Sequence, residues 1–83
     1  MRIVNPQGLH ARPISEFVRT VGRFEVTVRV EGPGGEADGS SILDMMRLQG
    51  SQGSELAIRA RGREALAALE ALRALVEGGF GES

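Results

Sequence analysis

Two periodicities take turns along this chain, one near 3.6 residues and one of two. Ile14, Phe17, Val18 and Val21 recur at i, i+3, i+4 and i+7, which predicts an amphipathic helix from about Ala11 to Val21. Gly22 and Arg23 close it, and Phe24, Val26, Val28 and Val30 then alternate with Glu25, Thr27, Arg29 and Glu31. That alternation predicts a strand with one buried face and one wet face. Gly32-Pro33-Gly34-Gly35 predicts a hairpin turn, with a return strand near Glu36 to Asp38 whose single apolar residue is Ala37. Ile42 to Leu48 predicts a short helix stopped by Gln49 and Gly50, and Ser41 with Asp44 three residues on has the spacing of a capping box. Leu56, Ile58 and Ala60 alternate with Glu55, Ala57, Arg59 and Arg61 as a further strand. Glu64 to Glu77 is dense in Ala, Leu and Glu, with Leu66, Leu69, Leu72, Leu75 and Val76 as an apolar stripe, and Gly78 and Gly79 end it.

At the start, Met1 to Val4 carries Ile3 and Val4 and is short for a strand. Counting it, the order is βαββαβα. Antiparallel pairing of four strands, with three helices on one face, gives an α+β open-faced β-sandwich. With 83 residues the chain, 1–83, is expected to form a single domain in which nearly every long apolar residue shares one core.

Composition narrows the chemistry. There is no cysteine and a single histidine, which excludes a disulfide framework, thiolate metal sites and a histidine-rich metal site. No cofactor is expected. A net charge of −1 and only three aromatic residues, all Phe, argue against nucleic-acid binding. No apolar run approaches a membrane span and no signal-peptide pattern opens the chain, so a cytoplasmic monomer is expected. All ten basic residues are arginines, so every basic contact carries a rigid fork.

The lone histidine stands in the most telling stretch, Asn5 to Pro13, NPQGLHARP. Pro6 and Gly8 mark a turn, and His10 falls at or just before the N-terminus of the first helix. There the backbone N–H groups lack partners and the helix dipole is positive, which makes an anion site. Arg12 adds a planar guanidinium suited to a phosphoryl group. Pro13 in the first turn forfeits no hydrogen bond, although it disfavours the helical region for Arg12. A neutral imidazole nitrogen in such a place is set up to accept a phosphoryl group whose charge is held by backbone donors. On the residues alone, a histidine that only caps a helix or rests in a turn remains an open alternative.

GLHARP, preceded by Asn5 and followed by an amphipathic helix, resembles the active-site signature of HPr, the histidine phosphocarrier family of the sugar phosphotransferase system. The resemblance covers essentially the whole chain, apart from several more residues that the family has in the first strand. It implies a phosphoryl carrier and not an enzyme: His10 would take the group from phospho-Enzyme I and pass it to EIIA domains. The Ala11 and Arg12 backbone N–H groups and the Arg12 side chain would hold the phosphoryl oxygens.

A second stretch, GSSILDMMRLQG, resembles the regulatory segment of HPr proteins, in which a serine at the start of the short helix is phosphorylated by a dedicated kinase. Ser41 is the matching position. Capping is the simpler account of it, and Asp44 places a carboxylate one turn away where the family often has lysine or glycine. Ile42, Leu43 and Met46 cannot all enter so small a core, and the resemblance implies that this helix and the first dock the partners. Arg19, Arg23 and Arg47 join Arg12 as basic residues suited to acidic partners. The alternative to a carrier is an HPr-like regulatory module whose state at His10 or Ser41 is set by HPr kinase/phosphorylase and read by a transcriptional regulator or a metabolic enzyme.

Overall fold

A computed structural model, which describes residues 1–82, gives helix α1 at Ala11–Val21, strands β1 at Thr27–Gly32 and β2 at Gly35–Asp38, helix α2 at Ile42–Met46, strand β3 at Ala57–Arg61, helix α3 at Ala65–Glu77 and a 3-10 turn at Gly79–Gly81. The sheet is antiparallel in the order β2-β1-β3. Pro33 and Gly34 make the hairpin tip between β1 and β2, whose register pairs Gly32 with Gly35 and Arg29 with Asp38. On the other side of β1, Val30 faces Ile58 and Thr27 faces Arg61.

The inward face is the one the alternation predicts. Val28 and Val30 are buried, whereas Thr27, Arg29 and Glu31 are exposed. Ile14 and Phe17 of α1, Leu72 and Val76 of α3, Met45 of α2 and Leu48 after it complete the core with Ile3, Leu56 and Phe80. Burying each such side chain stabilises the fold by ~1.5–3 kcal/mol before the entropy of ordering it is counted.

Three predictions need correction. The sheet among the described residues has three strands, not four. Met1 to Val4 meets the 53–56 segment through Ile3 N–H to Ser54 O at 2.9 Å, Gly53 N–H to Ile3 O at 2.7 Å and Leu56 N–H to Met1 O at 2.7 Å. Only Arg2 and Glu55 pair in register, as an isolated bridge, because the Gly53 turn and the buried Asn5 bend both chains away within three residues. The second strand starts at Thr27 instead of Phe24, since Arg23 and Phe24 spend their N–H groups on Thr20 O and Val21 O in the turn that closes α1. Leu66 is not part of the apolar stripe. The inward row of α3 is Ala68, Leu72 and Val76, and Leu66 lies off that row at 72% exposure. The helix α3 ends before Gly78 as expected, and beyond it Gly79 and Phe80 adopt positive φ of 70° and 56°, turning the buried Phe80 ring back into the core.

Candidate functional site

The Asn5–His10 loop is shaped by one glycine. Gly8 has φ of 66°, and a Cβ there would lie 2.4 Å from the Gly50 carbonyl oxygen and 2.9 Å from Ser51 Cα. Close backbone approach lets Leu9 N–H reach Gly50 O at 2.9 Å, while Gly8 N–H bonds Asn5 O at 3.1 Å and His10 N–H bonds Gly8 O at 3.0 Å. The loop is therefore pinned to the segment after α2, and it delivers His10 to the N-cap of α1.

His10 is extended there, at φ −100° and ψ −171°, and its side chain makes no capping hydrogen bond. The ring is thus not spent on capping the helix. Ile14 N–H is taken by the His10 carbonyl at 3.1 Å, and Pro13 has no N–H, so Ala11 and Arg12 are the first-turn backbone donors. The helical conformation of Arg12 shows that the restraint imposed by Pro13 is overcome by the packing of that buried proline.

Around His10 stand groups that the sequence did not single out. His10 Nε2 lies 2.9 Å from Glu82 Oε2. The same oxygen accepts from Arg12 Nη2 at 2.7 Å, and the other, Oε1, accepts from Asn5 Nδ2 at 2.9 Å. Arg12 Nη2 also reaches the Phe80 carbonyl at 3.0 Å, and Arg12 Nη1 pairs with Glu16 one turn along α1. Asn5 Nδ2 bonds Gly8 O at 2.8 Å as well, which ties the loop to the tail through one buried amide. Asn5 Oδ1 finds no partner among the described residues. These donors, Asn5 first, then Arg12 and His10, hold the Glu82 carboxyl below its ordinary pKa, and Glu82 in turn raises that of Arg12. An ionised carboxylate only accepts hydrogen bonds, so in the neutral tautomer that suits this contact Nε2 carries the proton and Nδ1 the lone pair.

The structure brings His10, Ala11 and Arg12 together at one helix end and places the remaining predicted residues elsewhere. Arg19 is exposed farther along α1. Ser41 is the N-cap of α2 and its Oγ accepts from Asp44 N–H at 3.2 Å. Only half of the expected capping box forms. Asp44 is too short to return to the Ser41 N–H, which bonds Asp38 O, and its carboxylate instead takes Asp38 N–H at 3.0 Å and Arg47 Nη2 at 3.0 Å. Ile42, Leu43 and Met46 are 46%, 78% and 56% exposed, whereas Met45 and Leu48 are fully buried, so α2 divides its apolar residues as its length demands. No cluster of three or more metal-ligating side chains occurs among the described residues, and no helix is long and apolar enough to cross a membrane.

Comparison with known proteins gives the family. The family model for the PTS HPr component phosphorylation site matches residues 1–78. The chain is 38% identical over 81 residues to phosphocarrier protein HPr of Pseudomonas aeruginosa, covering 96% of this chain and 90% of that protein. It is equally similar, at 38% over 81 residues, to phosphocarrier protein NPr of Proteus mirabilis. Among solved structures, HPr of Thermoanaerobacter tengcongensis superposes with a TM-score of 0.93 at 37% identity, covering 100% of this chain and 93% of that one. The chain belongs to the HPr family of phosphocarrier proteins of the phosphotransferase system.

Proposed function

We propose that the protein carries a phosphoryl group on His10 between phospho-Enzyme I and EIIA domains. The observation that carries this reading is the uncapped His10 ring at the N-terminus of α1, two residues from the Arg12 guanidinium. The His10 Nδ1 lone pair forms an N–P bond in line as the N–P bond of the donor phosphohistidine breaks. Both rings keep the proton on their other nitrogen, so the transfer needs no metal and no external base. Backbone donors at Ala11 and Arg12, with the Arg12 side chain, compensate the phosphoryl charge. The protein is then a covalent substrate of its partners and does not turn over a small molecule. Exposed Ile42, Leu43 and Met46, with Arg19, form the docking surface, where flexible methionine suits more than one partner.

The test is phosphorylation by Enzyme I and phosphoenolpyruvate, followed by intact mass and by stability of the adduct in acid and alkali. One acid-labile, alkali-stable phosphoryl group, absent from His10→Ala, is expected; no adduct with a cognate Enzyme I refutes the carrier.

A regulatory reading has one observation in its favour. Ser41 lies at an accessible helix start beside the exposed Ile42 and Leu43, so a phosphate on its Oγ places charge at the edge of the docking surface. HPr kinase/phosphorylase would load it and a transcriptional regulator or metabolic enzyme would read it. Incubation with an HPr kinase and ATP decides: no incorporation, or incorporation that survives Ser41→Ala, removes this reading.

A further inference from the structure

Strand β3 is an outer strand of the sheet, and its outward edge is open. The Met1 to Val4 segment lies along that side only as far as Leu56, whose N–H bonds Met1 O at 2.7 Å. Strand alternation turns the N–H and C=O of Ile58 and Ala60 outward as well, because those of Arg59 and Arg61 face Arg29 and Thr27 of β1. Among the described residues no backbone hydrogen bond reaches these outward groups. A groove of about 850 Å³ runs along the edge. Half-buried Ile58, Ala60 and Leu69 line its apolar side, and exposed Arg59 and Arg61 line the other. On that wet side Arg29 and Arg59 share the single carboxylate of Glu36, at 2.8 and 2.6 Å, and Arg61 makes no ion pair among the described residues. Glu31 stands at the far end of the strand, opposite Ala57, so positive charge prevails along the edge.

An open strand edge is a template for a further strand, and the side chains along it decide which strand is accepted. A second copy of this chain is disfavoured. With Leu56 taken by Met1, antiparallel pairing of β3 with itself sets 57–61 against 57–61 and puts Arg59 directly opposite its own counterpart, a destabilising like-charge pair. We propose that the β3 edge binds an extended acidic peptide as an added strand, with carboxylates on alternate residues against Arg59 and Arg61 and β-branched residues between them against Ile58, Ala60 and Leu69. Backbone hydrogen bonds to Ile58 and Ala60 supply the affinity, and the two guanidiniums supply the choice of partner. The site shares no residue with the His10 helix end, so it stands apart from the carrier reading.

The probe is the peptide acetyl-Glu-Val-Glu-Val-Thr-amide, titrated into the whole chain and followed at the amide resonances of Ile58 and Ala60. Saturable shifts at both are expected, with an affinity about tenfold above that of acetyl-Arg-Val-Arg-Val-Thr-amide, the weight of two cross-strand charge pairs turned from attraction to repulsion. Arg61→Glu, an exchange at an exposed position, is expected to bring the two peptides to about equal affinity. Ala60→Pro removes one outward N–H, leaves the bonds to β1 in place and is expected to weaken the acidic peptide about fivefold. No shift at Ile58 and Ala60, equal affinity of the two peptides for the unaltered chain, or a preference that survives Arg61→Glu overturns the proposal. A concentration-dependent dimer in sedimentation that Ala60→Pro dissociates overturns it as well, because a second copy then occupies the edge.

Discussion

Gly8→Ala tests the link between fold and site, because this residue lets the His10 loop lie against the segment after α2. Two costs add. A non-glycine residue at φ 66° pays ~1–2 kcal/mol for the left-handed conformation. The added Cβ would sit 2.4 Å from Gly50 O, a backbone atom that cannot rotate away, and overpacking of this kind costs ~1–3 kcal/mol. The sum is ~2–5 kcal/mol. At the lower end this is a fall of about 8–16 °C in Tm for a domain of this size. Gly53→Ala is the control: its φ is 89°, yet nothing lies within 4 Å of the added Cβ, so only the conformational cost remains. Urea unfolding of the two variants measures the difference. Phosphoryl incorporation at His10 should fall in Gly8→Ala even where the protein is folded, because Leu9 loses its bond to Gly50 O and the ring loses its placement. Equal stability of the two variants, or full incorporation in folded Gly8→Ala, would refute the account of the loop.

Four further outcomes are expected. Met45→Ala should cost ~2–5 kcal/mol, since the side chain is fully buried. Met46→Ala, next to it but 56% exposed, should stay within about 0.5 kcal/mol by urea unfolding. Leu43→Asp should leave stability unchanged and lower the rate of transfer from Enzyme I, which stopped-flow or radiolabel transfer measures; an unchanged rate removes Leu43 from the docking surface. Stability should also fall on acidification. Asp38, Asp44, Glu36 and Glu82 all titrate below their ordinary values of 3.8 and 4.5, held there by Ser40, by the Asp38 backbone, by Arg29 and by Asn5 respectively. The unfolded chain therefore binds more protons near these values than the folded one. Their contribution is complete above about pH 4.5 and disappears as the pH drops through the lower folded values. Unfolding free energies measured from pH 7 down to pH 2.5 should decline below pH 4.5, and a flat profile contradicts the network.

The sequence made the elements legible where a single periodicity governed a long segment. Helix α1 runs over the predicted residues because its apolar spacing, its start after His10 and its stop at Gly22 all agree. The hairpin tip was equally plain, since Pro33 and Gly34 supply the turn and the flanking alternation supplies the register. Errors arose where two rules competed for the same residues. Phe24 obeys the strand alternation, but its N–H is needed to close α1. Leu66 belongs to an alanine- and leucine-rich run in which any of several rows would serve as the buried one. Only packing against β3 and α1 selects Ala68, Leu72 and Val76. Met1 to Val4 has strand composition, yet pairs in register at one residue because turns intervene on both sides.

For the site, the legible half is the half that is local. His10, Ala11 and Arg12 are contiguous, and the helix start that gathers them is written in the residues on either side of them. The short helix α2 also announced its exposed residues, because five residues cannot turn Ile42, Leu43, Met45 and Met46 all inward. Glu16 was within reach of the same reasoning, as it stands one helical turn from Arg12 in the spacing that favours an ion pair. Glu82 was not. Nothing near it in sequence distinguishes it from the other glutamates, and its contacts with His10 and Asn5 span 72 and 77 residues. They depend on Phe80 being drawn into the core at a positive φ that no propensity favours for that residue. The anion site therefore has two origins. A local helix start creates it, and a distant hydrophobic anchor supplies the carboxylate that fills it, so a change at Phe80 should disturb Arg12 without touching any residue of the signature.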